Sequence, residues 1–151
     1  MAYKYPYDNE EKIIKPSKLQ ENRSMWKLMI LSIFTLGIYS IIFFIPFSFD
    51  LDKIHPNKDH SKGLNYLWAF ILAYFTGSIV LAVWHHMTAS KVEEALIARH
   101  INYKFGTNEF WKFYILGSFI LVGPFIYYHK LCKAMNLLCE DYNKELDSKN
   151  K

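Results

Sequence analysis

Residues 35–39 read TLGIY, at the centre of MILSIFTLGIYSIIFFIPF (29–47), where nearly every other side chain is aliphatic or aromatic. Thr35 and Gly37 are poor choices for an ordinary core helix, because β-branching and backbone entropy each lower helix stability. Among lipids the same residues have a use, since small side chains let two backbones approach closely. The reading of the chain turns on which solvent surrounds this stretch.

Leu28–Phe49 is 22 residues without a charge, Leu64–Trp84 another 21, and Phe113–Tyr128 a further 16. At about 1.5 Å per helical residue the first two reach roughly 30 Å, a bilayer's hydrocarbon thickness. Lys112 and Lys130 extend the third by snorkelling, with Trp111, Tyr127 and Tyr128 as interfacial anchors. Trp26, Lys27 and Trp84 take the same place beside the first two runs. A helix in water normally keeps a polar stripe, and these runs carry charge on no face. The pattern predicts an all-α integral membrane protein with three transmembrane spans, at about 27–49, 64–84 and 111–129. They lie in one domain, 25–146, between a flexible polar tail (1–24) and a polar end (147–151).

The composition fits that segregation. Of 151 residues, 52% are hydrophobic and 18% aromatic, yet the mean hydropathy is −0.01 because the charges gather between the runs. A net charge of +4, interleaved with Asp and Glu, makes no dense basic stripe, which argues against a nucleic-acid partner. The first 24 residues hold no apolar core of signal-peptide length. Residues 50–63 read as a polar turn with Pro56 and Gly63 as breakers. Residues 85–100 read as an amphipathic surface helix extending the second span, and Leu131, Met135, Leu138 and Tyr142 as one face of a long C-terminal helix. Lys and Arg near the span ends number nine on the N-terminal side against six on the other, predicting a cytoplasmic N-terminus and an external C-terminus.

Trp26-Lys27 and Ile30-Leu31 recur as Trp111-Lys112 and Ile115-Leu116, offset by 85, an echo between the first and third runs. With one inserted residue Gly37 faces Gly123, followed by Pro124. Gly37 and Gly123 read as points of close helix approach, with Thr35 and the Tyr39 hydroxyl bonding a neighbouring backbone. Ala69, Ala73 and Gly77 form a small-residue face to receive them.

The Thr-Leu-Gly-Ile-Tyr centre, together with Gly123-Pro124, the aromatics after it and HKLCKAMNLL (129–138), resembles the bacterial membrane proteins grouped as domain of unknown function 4234. The resemblance extends over roughly residues 23–139. Where that family usually shows a Trp soon after the Tyr, this chain has Ile42-Phe43-Phe44. The resemblance implies a bacterial cytoplasmic membrane, multi-pass, and no activity.

Catalytic chemistry finds few candidates. His85 and His86 are adjacent and point about 100° apart on a helix. His129 and Cys132 could supply two metal ligands but no third is identifiable, and His55, His60 and His100 stand alone. Cys132 and Cys139 lie two helical turns apart, too far for a disulfide within one helix. No HExxH, GxSxG or phosphate-cradling loop occurs. The expectation is a non-catalytic protein without cofactor that acts through helix–helix or lipid contacts, in an accessory, stress-related or immunity-type role. Its candidate partners are membrane lipids and a second copy or another membrane protein. The alternative is a homo-oligomeric channel or transporter lined by Ser32, Thr35, Thr76 and Ser78.

Overall fold

Each apolar run is a helical hairpin rather than one straight helix. The structure, a computed structural model, describes residues 17–55 and 66–149. Residues 1–16 of the tail, His60, Pro56 and Gly63 of the first connection, and residues 150–151 lie outside the described residues. The first run is α1 (Met25–Phe34) and α2 (Ile38–Ile54), and the second is α3 (Tyr66–Thr76) and α4 (Ile79–Ala98). The third rises through a short α5 (Thr107–Glu109), a wide π-helical stretch (Phe110–Ile115) and a tight 3₁₀ stretch (Leu116–Ile120), then returns as α6 (Gly123–Lys149). No strand occurs among the described residues.

The three-span expectation is overturned. Among the described residues no helix is long and apolar enough to cross a membrane, so none is a transmembrane helix. The rising limbs α1 and α3 have 10 and 11 residues, about 15 Å each, half of what a crossing needs. α4 and α6 are long enough but charged: α4 carries Lys91, Glu93 and Glu94, and α6 is strewn with Lys, Asp and Glu. The physical cause is a left-handed turn near the middle of each run. Leu36 and Gly37 have φ of 51° and 91°, Gly77 and Ser78 58° and 71°, and Leu121 61°. L-residues rarely enter that region, and it ends a right-handed helix. Gly37 therefore serves the turn, which glycine enters at no steric cost. With no crossing helix, the charge bias loses the spans whose orientation it was to set. The amphipathic helix expected over 85–100 is not a separate surface element, since α4 runs unbroken from Ile79 and buries Thr88, Ala89, Val92, Ala95 and Leu96.

The returning limbs α2, α4 and α6 run parallel. Lys91 meets Asp52 at 3.2 Å and His55 meets Glu94 at 3.0 Å, both pairs 39 residues apart. Tyr127 donates to the His85 carbonyl and Arg99 to Asp141, both 42 apart. Partner numbers that climb together at a fixed offset place all three turns at the same end. Phe44, Trp84, Tyr114 and Tyr128 lie six or seven residues from their own turns and meet in one aromatic layer around His85.

Away from the turns lies the core. Phe44, Phe47, Leu51 and Ile54 on α2 pack with Val92, Ala95 and Leu96 on α4 and with Leu131, Met135 and Leu138 on α6. Their spacings of three and four keep one face of each helix inward. Residues 19–23, read as part of a flexible tail, lie against α6. Asn143 bonds both the N–H and the carbonyl of Leu19 at 2.8 Å, and Asn136 does the same for Arg23 at 2.8 and 2.9 Å. The buried Arg23 guanidinium bonds Asp50, the Gln20 carbonyl and Cys139 Sγ, tying α2 and α6 together.

Candidate functional site

The turns themselves are the unusual surface. Phe34, Leu36 and Ile38 at the first, Tyr74, Phe75 and Ile79 at the second, and Phe119, Ile120 and Leu121 at the third all face outward. Leu36 is 92% exposed, Tyr74 88% and Phe119 86%. Monomers in water rarely expose contiguous apolar patches larger than a few hundred Å², and here three apolar tips stand at one end.

The backbone N–H groups and the Thr35 hydroxyl of the first tip bond within the turn. At the first tip every backbone N–H from Thr35 to Ser40 is paired within the turn. Gly37 donates to the Ser32 carbonyl at 2.7 Å, and Tyr39 donates to Thr35 Oγ1 at 2.9 Å. The same Thr35 hydroxyl donates to the Leu31 carbonyl at 2.7 Å. Thr76 repeats the device, donating to Leu72 at 3.0 Å and accepting from the Val80 N–H at 3.5 Å. At the third tip Ser118 donates to the Ile115 carbonyl. Gly123 is buried at the foot of that turn, where an added Cβ would lie 2.3 Å from the Gly117 Cα. Gly123 and Gly117 are a close approach between two limbs of one hairpin. Gly37 instead faces the Phe70 ring at ordinary contact distance, and nothing lies within 4 Å of a Cβ placed on Gly77. Ala69 is buried, Ala73 half-buried, and Pro124 opens α6.

Trp26, Trp68 and Trp111 are exposed and stand ten, nine and ten residues before Leu36, Gly77 and Leu121. At about 1.5 Å per helical residue, Trp26 and Trp68 sit about 13–15 Å behind their tips. Lys27 and Lys112 beside them are exposed. Trp84 and Tyr127 are buried in the core, Tyr128 is half-buried, and Lys130 pairs with Glu109 at 3.7 Å. The recurrence of a Trp and then a hydroxyl at the turn makes the echo between the first and third runs a threefold one. Trp68 and the Thr76-Gly77 pair are its middle copy.

The histidines do not converge. His55 bonds Glu94, His86 packs edge-on against Phe110 and Trp111, and His100 and His129 are exposed. Among the described residues no three of His, Cys, Asp and Glu gather as a metal site. His85 is fully buried in the aromatic layer, and burial holds its imidazole down to about 3. Tyr128 Oη lies 3.2 Å from its Nε2, while Nδ1 has no partner. Burial pushes the Cys132 thiol up to about 12 and raises Cys139, with Arg23 opposing in both cases; neither is an activated nucleophile.

No curated protein and no solved structure matched the chain. Residues 23–94 match the family model described as Domain of unknown function (DUF4234), which takes in the first hairpin and most of the second and leaves the third, with HKLCKAMNLL, outside the match. Over residues 23–94 the chain is similar to the DUF4234 family.

Proposed function

We propose that this is a non-catalytic protein that attaches to a lipid surface by dipping its three apolar tips into one leaflet. The observation that carries the reading is the spacing between tips and tryptophans. About 13–15 Å is the hydrocarbon depth of a single leaflet. Tryptophan favours the boundary between hydrocarbon and headgroups, so Trp26 and Trp68 at that boundary would leave their tips near the midplane. Hydrocarbon offers no water to an unpaired amide, and at the first tip the turn meets that demand from its own hydroxyls and carbonyls. Thr35 and Thr76, the hydroxyls a pore would need, are engaged with their own backbone, which favours attachment over conduction.

The test is flotation of the full chain with phosphatidylcholine vesicles, combined with quenching by lipids brominated at defined depths. Attachment, with a Trp in place of Leu36 quenched by bromines near the chain ends and Trp26 by bromines near the headgroup, is the expected result. A protein that stays at the bottom of the gradient, or a position-36 Trp quenched no more deeply than Trp26, overturns the reading.

A further inference from the structure

A groove of about 230 Å³ opens between residues 20–27 and α2. Residues 20–27 contribute polar Asn22, Ser24 and Lys27 to its lining, and α2 contributes apolar Ile42, Phe43 and Pro46. No carboxylate lines it. Arg23 also borders the groove, but its guanidinium is held by Asp50. Lys27 has no ion-pair partner among the described residues, and Ser24 precedes α1 without using its hydroxyl to cap that helix. An uncompensated cation beside neutral donors selects an anion, and an adjoining apolar wall selects one that carries a hydrocarbon chain.

We infer that this groove seats one anionic phospholipid, with its phosphate against Lys27 and Ser24 and the first methylenes of an acyl chain along Ile42, Phe43 and Pro46. The inference rests on the attachment reading above, which places Trp26, and with it the neighbouring Lys27, at headgroup depth. The apolar wall belongs to α2, the limb that returns from the tip at Gly37, so a chain lying along it enters the leaflet beside the hairpin. A free phosphate would use the polar lining and leave the wall empty.

The experiment follows backbone amide resonances of the full chain during titration with dihexanoyl phosphatidylglycerol below its micelle concentration. Dihexanoyl phosphatidylcholine and inorganic phosphate are run in parallel. The expected result is saturable shifts at Ser24, Lys27 and Ile42 with the phosphatidylglycerol, and weak or absent shifts with the other two. Lys27→Ala should weaken binding about fivefold, the effect of one basic residue at an anionic surface. Lys112→Ala, an exposed lysine beside another tryptophan and outside the groove, should leave it unchanged. Ile42→Trp, which fills the apolar wall and keeps every charge, should also weaken it. Equal shifts with inorganic phosphate would make this a phosphate site and overturn the lipid assignment. Equal losses from Lys27→Ala and Lys112→Ala, or no shift at all, would overturn the groove. Failure to float with phosphatidylcholine vesicles while the groove titrates would sink the tip reading and spare the headgroup contact. The converse would sink the groove alone.

Discussion

The base of the molecule and its tips solve opposite problems. At the base, carbon is hidden: Phe47, Tyr127, Leu131 and Met135 have essentially no exposed surface. The buried polar groups there, Arg23 and Asn143, are paired. At the tips carbon is displayed, and at the first of them the backbone is what is hidden, every N–H from Thr35 to Ser40 being paired within the turn. Water rewards the first arrangement and penalises the second, because apolar burial is worth roughly 25 cal/mol per Å². On the attachment proposed above, one chain that builds both is organised for two solvents, with the layer around His85 between them.

The comparison breaks most visibly if charge is placed on all three tips. Leu36→Asp, Phe75→Asp and Phe119→Asp together should abolish vesicle flotation, since each carboxylate at hydrocarbon depth costs about 2.5–3.5 kcal/mol on insertion scales. These side chains pack against little, so the denaturation midpoint in solution should stay within about 0.5 kcal/mol of wild type per substitution. A large stability loss with retained flotation would mean the tips are core rather than contact.

Phe47→Ala makes the reverse change. Phe47 is 0% exposed, packs edge-on to Phe44 at 5.7 Å and has the Arg23 guanidinium over its ring. Its removal should cost about 3–5 kcal/mol in chemical denaturation. Flotation of the folded fraction should be untouched, and a parallel loss of both would show that base and tips are not separable.

This division was only half legible in the amino-acid order. The charge-free runs, their edges and the long last helix follow from composition and periodicity. What composition does not say is whether 22 apolar residues run straight or fold back, because both dispositions are charge-free. The deciding signal was local. Thr35-Leu36-Gly37 and Thr76-Gly77-Ser78 each put a hydroxyl beside a residue able to take positive φ, at the middle of a run. Read as packing contacts within straight helices, they concealed the turns. Lys follows both Trp26 and Trp111, which makes their echo legible, whereas Trp68 is followed by Ala69. His85 gave no sequence sign of its burial, which depends on aromatics from four separate segments.

His85 sharpens the boundary between the two regions. Its folded-state value of about 3 lies below the ordinary 6.5, so the unfolded chain takes up the proton first as pH falls. The stability tied to neutral His85 is therefore complete above about pH 6.5 and drains between there and pH 3. By pH 5 the loss should be about 2 kcal/mol, from one proton and this difference in affinity. Denaturation midpoints at pH 8 and pH 5 measure it, and His85→Gln should flatten the difference. An unchanged slope in that variant would assign the acid sensitivity to another group.

The smallest effect is the most discriminating. Thr35→Val keeps the shape of the side chain and removes two hydrogen bonds, one to the Leu31 carbonyl and one from the Tyr39 N–H. In solution both backbone groups can turn to water, and the expected stability loss is about 1 kcal/mol per bond. Within a leaflet no water is at hand, and an amide left unpaired in apolar surroundings costs about 2–7 kcal/mol depending on the reference medium. Thr35→Val should therefore weaken attachment to phosphatidylcholine vesicles by more than it weakens the fold, although it makes the tip more apolar. Binding that rises with the added methyl group would show that the first tip rests on the headgroups instead of entering the hydrocarbon. The same substitution at Thr76 then tells whether the second hairpin behaves alike, since its hydroxyl makes the same pair of contacts one repeat further along.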